Sequence, residues 1–131
     1  MALVCAAKSC PPIRAEAYVG DRLEAQLQDQ ALQFANKAEY VRYDAAAKTV
    51  QLSPLLKWYA DDWSAAGGVL AWLTGLVQDE ATQQGLQAAS NQQAEVAFNT
   101  YDWSLNSQAG SLGSASSKGG GGFGSGSVPN E

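Results

Sequence analysis

From Ser107 to Ser127 the chain is almost entirely Gly, Ser and Ala, interrupted by Gln108, one Lys and two large apolar residues, Leu112 and Phe123. Such a stretch buries too little apolar surface to offset the conformational entropy of ordering it. Residues 107 to 131 are therefore expected to form a flexible tail. The fold has to come from residues 1 to 106, enough for one domain with a real core and a net stability of about 5–15 kcal/mol.

Within those residues the apolar spacing predicts an α+β domain. Ala2 to Ala6 reads as a short continuous apolar strand buried on both faces, stopped by Pro11-Pro12, which remove two backbone donors. Leu23, Leu27, Ala31 and Phe34 recur at intervals of three and four, the spacing of a helix with one buried stripe. Asp21 followed by Glu24 resembles its capping box. Tyr40 to Asp44 and Thr49 to Leu52 alternate as a β-hairpin joined by Ala45-Ala46-Ala47-Lys48. Ser53-Pro54 supplies an N-cap and a first-turn proline for a helix carrying Leu55, Leu56, Tyr59 and Trp63. Gly67-Gly68 breaks that helix before a dense stripe of Val69, Leu70, Trp72, Leu73, Leu76 and Val77. A weaker helix spans Thr82 to Ala89, and Val96 and Phe98 alternate as in a last strand. The expected architecture is a small, mostly antiparallel sheet of the first strand, the hairpin and the last strand, packed on three or four helices.

Eight Lys plus Arg against 13 Asp plus Glu leave a net charge of −5 without a basic cluster. That balance argues against nucleic acid and against an anionic membrane surface. No apolar stretch approaches the roughly 20 residues that span a bilayer. A protein or peptide remains as the partner class.

Three blocks together resemble the C-terminal part of the family known as domain of unknown function 547. They are Ala2 to Arg14, Leu52 to Tyr59 with Asp61-Asp62, and Tyr101 to Asn106. The resemblance covers residues 2 to 106 and implies a further helical half upstream, so an incomplete domain is expected here. It also implies a His just before Ala2, whereas this chain has no His. Members are similar across bacterial proteins, many of them exported, which points to the cell envelope. The family lends no settled activity.

Candidate chemistry centres on Cys10, followed by two prolines and preceded by Lys8-Ser9. A loop thiol beside a lysine favours the reactive thiolate; alternatively Cys5 packs as a small apolar residue and Cys10 packs under the proline turn. The two cysteines either close a small disulfide loop or stay reduced. Cysteine hydrolases and transferases need a base beside the sulfur, and no His is present to serve. Two cysteines fall short of the ligands of structural zinc, and no Gly-rich phosphate loop follows a strand, so no metal or cofactor is expected. Lys57 and Asp61 are spaced as a helical ion pair. Asp102 reads as a buried carboxylate anchoring the last strand. Trp58, Tyr59, Trp63, Trp72, Tyr101 and Trp103 either line a groove for a peptide or sugar or belong to the core, with Trp63 and Trp72 assigned to the core.

These residues admit three functions. The first is a non-catalytic partial domain with a structural or interaction role. The second is a remnant of a thiol enzyme with Cys10 as nucleophile. The third is a peptide- or sugar-binding module using Lys8, Ser9, Arg14, Trp58 and Trp103. Self-association is expected through the first strand and the Val69 to Val77 helix, whose apolar surfaces a missing half would have covered.

Overall fold

Asp44 turns the chain where no Asn-Gly is present: its carboxylate accepts from the amides of Ala46 and Ala47, both at 3.0 Å. Lys48 completes the reversal in a left-handed conformation, φ 49°. The computed structural model describes residues 2–107, so the expected tail beyond residue 107 lies outside the described residues. The turn joins β1 (Val41–Asp44) to β2 (Thr49–Leu52) as an antiparallel pair in the register Val41 opposite Leu52.

The third strand, β3 (Glu95–Phe98), lies parallel to β2 on its other side, Thr49 opposite Glu95 and Leu52 opposite Phe98. The sheet is therefore mixed, in the order β1-β2-β3, rather than mostly antiparallel. A parallel neighbour requires a crossover. Here it runs through α2 (Pro54–Trp58), a 3-10 segment (Ala60–Ala66), α3 (Val69–Thr74) and α4 (Glu80–Ser90). With α1 (Leu23–Ala35) these make four α-helices on a small sheet, an α+β arrangement. Among the described residues no helix is long and apolar enough to cross a membrane.

The expected first strand does not form. Ala2 to Ala6 joins no ladder, and Leu3 is 93% exposed. An apolar run becomes a strand only where a sheet edge meets it, and the three-stranded sheet lies elsewhere. Just past the run, Ala7 makes an isolated antiparallel bridge with Leu105.

Caps set the helix starts. Ser53 Oγ accepts from the amide of Leu55 at 3.4 Å, with Pro54 in the first turn, as expected. Asp79 does the same for α4, accepting from Thr82 N at 2.8 Å and Thr82 Oγ1 at 2.7 Å. Gly67 and Gly68, at φ 82° and 96°, break the chain before α3. Asp21 caps nothing; it lies in a 3-10 turn (Gly20–Arg22) ahead of α1.

Phe34, Val50, Leu52, Leu56, Leu73 and Leu86 form the centre of the core. Leu76 and Val77 after α3 are buried too, so this helix does not present the open apolar face expected of it. Trp63 and Trp72 pack on each other at 5.3 Å against the core. α4 crosses the hairpin at Gly85, where a Cβ would lie 2.9 Å from Tyr43 Cβ and closer still to its ring.

The buried side of α1 differs from the expected stripe. Gln26, Gln30, Phe34 and Ala35 are buried, while Leu23 and Leu27 are 43% and 36% exposed. The cause is the irregular stretch 11–19, whose backbone groups have no ladder to satisfy them. Gln26 accepts from Val19 N and donates to Ala17 O, both at 2.9 Å, and Gln30 donates to Pro12 O at 3.1 Å. The expected Lys57–Asp61 ion pair is absent among the described residues. Lys57 Nζ instead stands 5.6 Å over the Phe98 ring.

Candidate functional site

The turn 7–10 sets the geometry of the site. Cys10 N donates to Ala7 O at 3.1 Å, closing the turn, and the buried Tyr40 hydroxyl donates to Cys10 O at 3.2 Å. Tyr40 is itself stacked on Phe34, centroids 4.5 Å apart, so the turn is tied to the core. Burial and the nearby Glu39 push the Tyr40 hydroxyl up to about 12, so it remains a donor at neutral pH.

The same turn is laced to residues 101–106. Lys8 N donates to Ser104 O at 3.0 Å, Ser9 N to Asp102 O at 3.2 Å and Asn106 N to Ala6 O at 2.7 Å. Ser9 Oγ accepts from Asp102 N at 2.8 Å. The Asp102 carboxylate, expected to be buried, is on the surface. It accepts from Ser104 Oγ at 2.6 Å and Ser104 N at 2.9 Å, which hold its pKa below the usual range. The anchoring that Asp102 was expected to supply from within comes from this exposed lacing.

Tyr101 and Trp103 are thereby laid against α2. Trp58 lies 5.0 Å from Tyr101 and 5.8 Å from Trp103, and Tyr101 lies 4.5 Å from Trp103, centroid to centroid. Between this aromatic group and the first residues is a pocket of about 520 Å³. One wall is residues 2–5 with Cys10 and Pro11. A second is Leu55, Trp58, Tyr59, Asp62 and Trp63, and Tyr101 and Trp103 form the third. Trp58, Tyr59 and Trp103 remain 50%, 57% and 69% exposed.

Both thiols are free and both line the pocket. Cys10 Sγ accepts from Cys5 N at 2.8 Å, and Cys5 Sγ lies 3.8 Å from the Tyr101 hydroxyl. Cys5 is exposed and Cys10 partly covered. The hydrogen bond with Cys10, aided by the Ala7 amide and Tyr101, lowers the Cys5 pKa. Burial first, and then the bond with Cys5, push the Cys10 thiol up. Burial and the two sulfurs push the Tyr101 hydroxyl up in turn, so it acts as a donor and not a base.

The singled-out residues fall into two groups. Cys10, Trp58 and Trp103 meet at the pocket. Lys8 laces the turn through its backbone and Ser9 through both its backbone and its hydroxyl, and the Lys8 charge acts on Asp102. Arg14 turns toward α1, pairing with Asp29 of that helix at 2.5 Å and with the preceding Glu16 at 2.8 Å. Cys5 and Asp62 are pocket residues that the sequence did not single out: Cys5 is expected in a buried strand, and Asp62 enters only as part of the second block. The available signal was the grouping into three blocks, since each block supplies one wall. Among the described residues no three His, Cys, Asp or Glu side chains are grouped to hold a metal ion.

A family model described as a protein of unknown function, DUF547, matches residues 1–35. This is the N-terminal part of the chain and holds the first of the three blocks. The likeness expected to run to residue 106, as the C-terminal part of that family, is not carried by the match past residue 35. No curated protein and no solved structure matches the chain.

Proposed function

We propose that this chain is a non-catalytic interaction module whose pocket takes an extended peptide with large apolar side chains flanked by Lys or Arg. One observation carries the reading: three large aromatic residues, Trp58, Tyr59 and Trp103, stay half exposed or more around a single pocket. Aromatic side chains left open at a concave site are the usual anchors of recognition. The volume of about 520 Å³ suits two or three side chains.

The remaining lining supports a peptide over a sugar, because Leu3, Val4, Leu55 and Pro11 offer no hydrogen bonds from their side chains to hydroxyl groups. Charge complementarity supports basic flanks. Asp62 is the charged residue of the lining, and the chain carries a net charge of −5. The non-catalytic reading draws on the groups that contact the thiols, an amide and a protonated tyrosine hydroxyl, neither of which takes a proton from sulfur.

The test is selection of a displayed random-peptide library on the full chain, followed by affinity measurement with Trp58→Ala and Trp103→Ala. Apolar, basic-flanked peptides should be enriched, and each variant should weaken them at least about 30-fold, the scale of a buried aromatic anchor. Circular dichroism melts establish that the variants remain folded. Binding that is indifferent to both substitutions, or enrichment of nothing while an oligosaccharide array binds, would overturn the reading.

A further inference from the structure

We propose that Cys5 and Cys10 are a thiol–disulfide exchange pair, in which Cys5 attacks a small-molecule disulfide and Cys10 resolves the mixed disulfide. The proposal does not rest on the peptide reading.

An attacking sulfur must be open to a partner, whereas a resolving sulfur needs only to reach the first. Cys5 is exposed; Cys10 is partly covered by the turn that its own amide closes on Ala7 O. The Cys10 sulfur lies 2.8 Å from the Cys5 amide nitrogen. The Cys10 sulfur thus already touches the backbone of the residue whose sulfur it has to reach, and that sulfur is free to turn about the Cys5 Cα–Cβ bond. Tyr101 stands beside the pair, 3.8 Å from the Cys5 sulfur, as a proton-bearing hydroxyl for a thiolate.

The hydrogen bonding supports this order. The Cys10 bond, the Ala7 amide and Tyr101 favour the Cys5 thiolate, the nucleophilic form. Cys10 is held protonated by burial and by the neighbouring Cys5 thiol, which together outweigh the Cys5 amide donating to its sulfur, so it waits. Once Cys5 is in a mixed disulfide that second restraint is gone, and the Cys10 thiolate becomes more accessible at the moment it is needed.

The atoms balance as follows. The Cys5 thiolate forms a bond to one sulfur of the disulfide RSSR, and the first RS⁻ leaves and takes a proton from water. Cys10 gives its proton to solvent and attacks the Cys5 sulfur, and the second RS⁻ leaves and is protonated in turn. Two protein thiols are oxidised to one disulfide, and RSSR is reduced to two RSH. The new bond would cross-link residues 5 and 10 within one pocket wall, beside Tyr101.

The experiment exposes the full chain to oxidised glutathione and follows it by mass spectrometry. The wild type should lose two hydrogens and retain no glutathione. Cys10→Ser should accumulate glutathione on Cys5, while Cys5→Ser reacts at least about tenfold more slowly. Brief alkylation of the wild type, which needs no variant, should label Cys5 before Cys10. Glutathione held on Cys10, a mixed disulfide that persists in the wild type, or inert thiols would each overturn the proposal.

Discussion

Replacing Gly85 by Ala should destabilise a helix that the same substitution ordinarily strengthens. In an open helix interior the change gains about 1 kcal/mol. Gly85 is buried where α4 crosses β1, and its missing Cβ leaves the room that Tyr43 occupies. An added methyl would stand 2.9 Å from Tyr43 Cβ and nearer to Cγ and Cδ2. These atoms sit at the root of the side chain, so no rotation of its far end clears them; the helix or the strand has to move. Overpacking of this kind costs about 3 kcal/mol at the upper end of its usual range. The difference is a net loss of about 2 kcal/mol, or roughly 8–16 °C in melting temperature for a domain of this size. Thermal melts followed by circular dichroism read it directly. A double-mutant cycle with Tyr43→Ala isolates the clash, and the penalty of Gly85→Ala should shrink by at least about 1 kcal/mol once the ring is gone. A Gly85→Ala variant melting at or above the wild-type temperature would refute the reasoning.

Acid should expose the cluster that fastens residues 14–16 to α1. Glu16 is held down to about 2 from an ordinary 4.5, first by Arg14, then by Gln26 and Arg22. Because its folded value is the lower one, its contribution is present above about pH 4.5 and is lost as pH falls toward 2. Urea midpoints of wild type and Glu16→Gln should accordingly converge between pH 5 and pH 2, and a constant gap would count against the assignment. Gln26→Met, an apolar substitution of similar size at a residue only 2% exposed, should cost about 2–3 kcal/mol, since it strands Val19 N, Ala17 O and Glu16. A urea unfolding curve unchanged from wild type would show that these bonds contribute nothing net.

The hairpin and α3 were legible because each is specified locally, by alternation or by Gly67-Gly68, and the helix expected over Thr82 to Ala89 lies within α4; Ser53-Pro54 marked the start of α2 but not its end at Trp58, where a 3-10 segment takes over and carries Trp63. The parallel placement of β3 was not, since nothing within Glu95–Phe98 records which edge it meets or in which direction. Ala2 to Ala6 misled for a related reason: apolar composition states a preference for burial but supplies no ladder partner. α1 failed differently. Counting apolar positions assigns glutamine to the surface, yet Gln26 and Gln30 are inside because a proline-interrupted neighbour needs donors and acceptors. Of the aromatic set, Trp58, Tyr59, Trp63, Tyr101 and Trp103 line the pocket, while Trp72 packs on Trp63 against the core. The set's division between core and groove depended on the lacing of residues 6–9 to 102–106, a contact across almost the whole described chain.

That lacing separates what holds the domain together from what shapes the pocket. The central core of Phe34, Val50, Leu52, Leu56, Leu73 and Leu86 includes none of residues 2–10 or 101–107. Those two segments join it chiefly through Tyr40 on the Cys10 carbonyl and through the Trp58 face of α2. Backbone hydrogen bonds in an exposed strip open at lower free energy than those of a buried sheet. The two pocket walls that these segments form can therefore rearrange while the α2 wall, the sheet and the other helices stay folded. The bond proposed between Cys5 and Cys10 would form within this loosely held layer, whose Tyr101 hydroxyl lies 3.8 Å from the Cys5 sulfur. The thiol pair, Tyr101 and Trp103 thus lie on a softer layer facing the rigid α2 wall of the pocket, which is the arrangement the proposed redox chemistry would need in order to alter the pocket.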